Sequence, residues 1–177
     1  MNRAAHARIA AYGLACSLIS LAVWSPVLTR SDPTPSPTAA GREALQRAET
    51  ALAAGDVRGA RQAWDEAYQV AMQTRQPDDL LGVGHAYLRI GATGTDRSAT
   101  VARARGIYLA ALFQARERRD AHAVARAGEA FAALGDHEVA ERVFDVAMAL
   151  AAQHRDAAVH DRIAALRARA GYATPTP

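Results

Sequence analysis

The sequence contains few of the residues on which enzymes and disulfide-stapled domains depend. It has one cysteine and no lysine, and it lacks a glycine-rich phosphate loop, a nucleophile motif and a paired set of Cys or His ligands. The single cysteine, Cys16, lies in an apolar segment, so residues 41–177 hold no thiol for a disulfide and are compatible with an oxidising compartment. These absences argue against an enzyme and predict no cofactor and no metal site.

Outside the N-terminal region, positive and negative charges nearly balance. Residues 41–177 carry 18 arginines against 17 acidic residues, a difference of one charge. Such a balance argues against a nucleic-acid partner. About a quarter of the chain is alanine and all 21 basic residues are arginine, a bias typical of high-GC bacterial coding.

What the chain does have is an internal repeat of small and aromatic residues. The pattern at 48–67 recurs eighty residues later at 128–147 with no change in spacing. The first and last copies are Ala48, Ala51, Gly55, Ala60, Trp64, Ala67 and Gly128, Phe131, Gly135, Ala140, Phe144, Ala147. The middle copy is Gly84, Tyr87, Gly91, Ala104, Tyr108, Ala111, with its second half displaced by eight residues. A repeat of this length indicates an array of supersecondary units that bury their apolar faces against one another.

The spacing within each copy predicts a helical hairpin. Positions at i, i+3 and i+7 in the first half, and at i, i+4 and i+7 in the second, each fall on one face of a helix. Gly55 and Gly135 stand where the first helix ends in a left-handed turn, and Asp56 and Asp136 stand where the second begins.

The run RAGEAFAALGDHEVAERVFDVAM at 126–148 resembles the tetratricopeptide repeat, whose unit of about 34 residues is a pair of helices. The resemblance implies an all-α fold, an α-solenoid of three helical hairpins at 41–74, 77–118 and 121–154. The proline that closes each repeat of the family is present here only once, as Pro77. The other two hairpins end at Asp120 and Asp156, where the aspartate can cap the following helix. The middle unit has an eight-residue insertion around 92–99 between its two helices.

A further helix is predicted at 157–170, in the same register. Arg167 stands where Phe131 recurs, so we expect a capping helix that ends the array with a polar outer face. The repeat domain is thus assigned to 41–171, and residues 172–177 form a proline-rich flexible tail.

The first 29 residues are a different kind of segment. Arg3 and Arg8 precede an uncharged run of twenty residues at 9–28, long enough to span a bilayer as one helix. We favour an uncleaved signal-anchor. Secretion after signal cleavage stays open as an alternative, although the nearest small-residue cleavage site, at 38–40, lies far beyond the apolar run.

Charge flanking this run predicts its orientation. The two arginines before it outweigh Arg30, which Asp32 offsets, so we expect a cytoplasmic N-terminus in a bacterial inner membrane and a periplasmic repeat domain. Residues 30–40 alternate proline with small polar residues and predict an extended linker.

In tetratricopeptide repeats the first helix of each hairpin lines a groove that holds a protein or peptide partner. The resemblance therefore implies a groove at these positions of this chain: Leu45, Glu49, Leu52, Leu81, His85, Leu88, Arg89 and Glu129. Ala53, Ala125, Ala132 and Ala133 fall on the same faces. The mixture of apolar and charged side chains suits an extended segment held by a few pockets and polar contacts.

Six arginines gather around the second helix of the middle unit. They are Arg97, Arg103, Arg105, Arg116, Arg118 and Arg119. Acidic neighbours interrupt them, so we expect a solvated, ion-paired surface rather than an anion site.

Together these features predict a membrane-anchored adaptor or assembly factor that binds a partner protein. The alternative is a structural subunit of a larger membrane complex. The pairs Ala11 with Ala15 and Gly13 with Ser17 place small residues four apart, a spacing that allows close helix contact in lipid.

Overall fold

The computed structural model describes residues 36–154 and 157–172, and its regular structure in these ranges is entirely helical. The helices are α1 (Pro37–Ala53), α2 (Val57–Thr74), α3 (Pro77–Gly91), α4 (Arg97–Glu117), α5 (Ala121–Ala133), α6 (His137–His154) and α7 (Ala157–Arg169). The predicted all-α class is confirmed. Within the described ranges, no helix has the length and apolar character needed to cross a membrane. The predicted anchor at 9–28 lies outside them.

The helices pack in consecutive pairs, as the repeat predicts. α1 packs against α2, α3 against α4, and α5 against α6. The first helices of these pairs also follow one another, because α1 contacts α3, α3 contacts α5, and α5 contacts α7. α3 and α5 therefore each lie among four other helices.

The turns within and between the pairs use the residues that were expected there. Gly55 and Gly135 have positive φ angles of 79° and 84°, in the left-handed region that glycine occupies at little cost. The Asp56 carboxylate accepts a hydrogen bond from the Gly59 amide at 2.8 Å. Asp120 caps α5 in the same way, through the Ala123 amide at 2.9 Å. Asp156 lies outside the described residues.

The aromatic residues of the repeat form the centre of the core. Tyr108, Phe131 and Phe144 are at most 1% exposed, and Trp64 is 4% exposed. The Trp64 indole donates a hydrogen bond to the Val83 carbonyl at 2.8 Å, which ties the first pair of helices to the second. Small residues leave room for these rings.

Two boundaries differ from the sequence-based ones. α1 begins at Pro37 rather than at residue 41, because the Ser36 hydroxyl accepts a hydrogen bond from the Ala39 amide and Pro37 suits a first helical turn. The end of the predicted linker is therefore helical. The insertion in the middle unit forms a loop only at 92–96, because Asp96 caps α4 through the Ala99 amide and the remaining residues lengthen that helix to 21 residues.

The expectation for the last helix was wrong at Arg167. Arg167 is only 5% exposed, so its side chain is not solvent-facing, and its Nη1 lies 2.6 Å from a carboxylate oxygen of Asp145. α7 packs against both α5 and α6, so the position equivalent to Phe131 still faces inwards at the end of the chain. The arginine stem covers the core while the guanidinium reaches the carboxylates of α6.

Tyr172, assigned to the flexible tail, is also packed. Its hydroxyl lies 2.8 Å from Nδ1 of His137, and its ring centroid lies 5.8 Å from that of Phe144. The ordered domain therefore extends at least to this residue.

Candidate functional site

The candidate site is the surface formed by the outer side chains of α1, α3, α5 and α7, here called the odd-helix face. Glu49, His85 and Arg89 are exposed on it. The half-buried members are Leu45, Leu52, Leu88 and Glu129. Ala53 and Ala133 are exposed and Ala132 is half-buried. The structure thus places seven of the eight predicted groove residues at least partly at the surface.

Leu81 is the exception, and its assignment to the groove was wrong. It is 1% exposed and belongs to the core, as does Ala125 at 0%. Because α3 and α5 are each surrounded by four helices, only a narrow strip of either helix reaches solvent. A position one helical turn before the strip is already covered by a neighbouring helix.

Ion pairs join successive helices across the odd-helix face. Arg89 of α3 lies 3.1 Å from Glu49 of α1, and Arg169 of α7 lies 3.5 Å from Glu129 of α5. Both members of the second pair come eighty residues after those of the first, which is the offset between the first and third copies of the core pattern. In each case the arginine reaches back to the preceding helix of the face.

A third pair lies between these two. Nη1 of Arg126 in α5 lies 2.6 Å from Oδ1 of Asp78 in α3. Solvent screens such partly exposed pairs, so each contributes only about 0–1 kcal/mol to stability. Their larger effect is on recognition, because a ligand on this face meets charges that are already paired and gains little by pairing with them alone.

His85 occupies the middle of the face. Its ring packs against the buried Tyr108 ring at a centroid distance of 5.3 Å. Burial of the ring face, followed by the positive charge of Arg126, lowers the pKa of His85, while Glu129 acts in the opposite direction. His85 is therefore a neutral hydrogen-bonding group at neutral pH.

A cavity of about 220 Å³ opens beside the C-terminal end of α3. Its apolar wall includes Leu88, Val101 and Leu134, and Arg97 stands at the start of α4. The α3–α4 insertion creates the cavity, because it adds a turn to α4 next to the end of α3. The volume suits one apolar side chain, and Arg97 supplies a cation beside it.

The arginines around α4 do not converge on one site. Arg105 forms two hydrogen bonds of 2.6 Å with the Asp136 carboxylate, and the pKa of Asp136 is lowered mainly by them. Arg118 binds the Gln76 side chain at 2.8 Å, and the Arg103 guanidinium lies 5.3 Å from the centroid of the Tyr68 ring. In the described ranges, no three Cys, His, Asp or Glu residues are placed to hold a metal ion.

Sequence reasoning missed three charged residues on this face and Arg97 of α4, which lies beside the cavity. Asp78, Arg97, Arg126 and Arg169 were not assigned to the groove. A signal for Arg169 was present, since adding the repeat offset of eighty residues to Glu49 and Arg89 gives Glu129 and Arg169. Arg126 and Asp78 show no such relation, because the equivalent positions of the neighbouring units are Arg42 with Gly82 and His122 with Arg162.

A scan of protein-family models finds no match to this chain, and a search of curated proteins finds none either. The case for a function therefore rests on the side chains of the odd-helix face.

Proposed function

We propose that this chain is a membrane-anchored, extracytoplasmic adaptor or assembly factor of the tetratricopeptide type. In this proposal the helix pairs form an α-solenoid, and an extended segment of a partner protein lies along the odd-helix face. The anchor is the apolar run at 9–28, and the repeat domain lies in the periplasm.

The observation that carries the proposal is the repeated ion pair on the odd-helix face. A core pattern repeats because packing requires it, but Glu49 with Arg89 and Glu129 with Arg169 are surface pairs that add little stability. Their recurrence, at the offset between the first and third copies of the core pattern, supports a surface that presents the same charge pair at two places along its length. A binding face for an extended polypeptide has this property.

The cavity beside Leu88 supplies the second element of recognition. An extended segment places alternate side chains on one side, so a single apolar side chain can enter the cavity while its neighbours contact the ion pairs. Arg97 at the rim favours a segment with an acidic residue next to the apolar one.

A second candidate function is that of an accessory subunit held in a membrane complex through its anchor. The small residues Ala11, Gly13, Ala15 and Ser17 support it, because their spacing permits close helix contact in lipid. This candidate assigns the binding energy to residues 9–28 rather than to the odd-helix face.

Co-purification from detergent-solubilised membranes, followed by identification of the captured proteins, tests the two candidates. The double change Leu88→Glu with Arg89→Glu places two acids on the odd-helix face and should abolish capture. The matched control is Arg61→Glu with Gln62→Glu, which places two acids at exposed positions of α2. Because Leu88 is half-buried, Arg97→Glu at the exposed cavity rim should reproduce the loss without touching the core.

The accessory-subunit candidate predicts the reverse pattern. Replacing 9–28 with an unrelated anchor should then release the partners, and the odd-helix variants should retain them. Helicity and melting temperature measured by circular dichroism must stay near the wild-type values for either result to count. Loss of capture with the α2 control would contradict a site on the odd-helix face.

A further inference from the structure

His85 is the titratable residue at the middle of the odd-helix face. Its ring packs on the buried Tyr108 ring at 5.3 Å, yet the residue is exposed overall, so a proton can reach the imidazole from solvent. Two charged groups of α5 act on the ring, Arg126 and Glu129, which stand three residues apart. Their signs are opposite, so a protonated ring lies between a repelling and an attracting charge.

The ion pairs that cross this face balance one another. Each joins an arginine of one odd-numbered helix to a carboxylate of its neighbour, so four arginines meet four carboxylates. The pairs are Arg42 with Asp79, Arg89 with Glu49, Arg126 with Asp78 and Arg169 with Glu129. The four pairs together carry no net charge, so one proton on His85 gives the set one positive charge.

Of the two pairs that meet at His85, the one between Glu129 and Arg169 is the looser. Its nitrogen–oxygen distance is 3.5 Å, against 2.6 Å between Arg126 and Asp78. The side chains of Glu129 and Arg169 are 41% and 68% exposed, so water can replace either partner at little cost. A protonated His85 therefore competes with Arg169 for the Glu129 carboxylate, and one of the two cations is left without a carboxylate of its own.

We propose that His85 is a pH sensor of the odd-helix face, whose protonation strengthens the binding of an acidic partner segment. This inference rests on the proposed function, because it concerns the same face and the segment that enters the cavity beside Leu88. Arg97 at that cavity already favours an acidic segment. His85 lies three residues before Leu88 on the same side of α3, so its charge is added beside the path of the segment.

The direction of the effect follows from linkage. A ligand that binds the protonated chain more tightly takes up protons when it binds. Burial, followed by Arg126, holds the pKa of His85 below 6.5 in the unbound chain, so the uptake is expected below about pH 6.5 and not at about pH 8. One added charge at a partly exposed site should raise the affinity about two- to fivefold between about pH 7.5 and 5.0.

Other titratable groups lie on the helices around His85. They are Glu49 in α1, Asp79 in α3, Tyr108 in α4 and His122 in α5. Burial raises the pKa of the Asp79 carboxyl, so this group also moves towards the tested range. α2 meets α3 in the core, where Trp64 bonds to the Val83 carbonyl. All of these groups are unchanged in a His85 variant, so their titration cancels in the comparison.

The test measures the binding of a defined probe to the full chain in detergent micelles at about pH 7.5 and 5.0. The probe is a fluorescent peptide with one leucine flanked by two aspartates, and its affinity is measured by fluorescence polarisation. The aspartates stay charged at both pH values, because their ordinary pKa is about 3.9. A second peptide, with asparagines in place of the aspartates, measures any pH dependence that does not require the acid.

The wild type should bind the acidic peptide about two- to fivefold more tightly at the lower pH. Calorimetry near pH 6 in two buffers of different ionisation enthalpy should show proton uptake on binding. His85→Gln should lose both the pH dependence and the uptake. His160→Gln is the matched control, because it removes an exposed histidine of α7 and should keep the wild-type behaviour. Circular dichroism at the lower pH checks that each variant is folded.

Equal affinity at the two pH values, or a pH response that His85→Gln retains, overturns the inference and leaves the proposed function in place. So does tighter binding at the higher pH, or an equal response with the asparagine peptide, because either result removes the role of the added charge. If the wild type binds the acidic peptide at neither pH, the preference for an acidic segment is wrong and the inference fails with it. Partner capture with the Arg97→Glu variant measures the proposed function separately.

Discussion

Tyr108 of α4 lies so close to Gly84 of α3 that a β-carbon on the glycine would overlap its ring. The ring is 0% exposed, and its hydroxyl has no hydrogen-bond partner within the described part of the chain. Burial raises the pKa of Tyr108 well above its usual value. The two helices of the middle unit can approach because one of them has no side chain at this point.

Gly84→Ala should therefore lower the free energy of unfolding by about 1–3 kcal/mol, the usual cost of forcing extra volume into a packed core. Gly106→Ala is the matched control, because Gly106 is also within a helix and a β-carbon there meets nothing within 4 Å. It should instead stabilise the chain by up to about 1 kcal/mol through helix propensity. Urea unfolding of the full chain in detergent measures both, and a loss of equal size in the two variants would contradict the close contact.

The pairing of Gly84 with Tyr108 shows why much of the fold could be predicted. A small residue opposite an aromatic one recurs in each unit, and the spacing alone assigns both to the inner faces of two helices. Gly55 and Gly135 were predictable for the same reason, because a left-handed turn restricts the residue type. These are local requirements, and they are visible in one stretch of sequence.

The wrong predictions arose because the sequence pattern does not show how many helices surround each helix. The periodicity of α3 identifies one buried face, but α3 contacts four helices, so Leu81 is buried on a side that a single hairpin would leave open. Ion pairs such as Arg126 with Asp78 join residues 48 apart, and no local pattern connects them. The candidate site was therefore predicted in outline, with its charged residues only partly identified.

Substitution of Arg167 tests whether its side chain is buried between α7 and the core. If the side chain were solvent-facing, Arg167→Ala would cost under about 0.5 kcal/mol. Because the stem is buried over the core, we expect a loss of about 2 kcal/mol instead. Arg167→Met, which keeps most of the stem and removes the charge, should cost less than half as much, since Asp145 is exposed enough to be rehydrated. Thermal or urea unfolding gives both values, and equal losses would assign the effect to the ion pair.

The proposed membrane orientation of the chain can be tested independently of the fold. A reporter active only in the periplasm, fused after Pro177, should be active, and one active only in the cytoplasm should be silent. The reason is the excess of positive charge at Arg3 and Arg8 before the apolar run. The reverse pattern would contradict the proposed topology, and a soluble product that begins near residue 41 would show cleavage of the segment.

The last prediction concerns pH and the middle of the odd-helix face. The pKa of His85 in the folded chain lies below its ordinary value of 6.5, because burial and then Arg126 disfavour the charged ring, and Glu129 offsets this only in part. At a pH near or below 6.5 the unfolded chain therefore binds a proton at His85 more readily than the folded chain does. The free energy of unfolding should fall as the pH drops through about 6.5. His85→Gln removes this titration and keeps a neutral polar side chain.

Between pH 7.5 and 5.5 the wild type should lose more of its free energy of unfolding than His85→Gln does. The other five histidines are the same in both proteins, so their contributions cancel in the difference. Urea unfolding at matched ionic strength measures it. A wild type that loses no more than the variant would mean that protonated His85 is accommodated by Glu129, and that the ring is less covered by Tyr108 than its 5.3 Å contact implies.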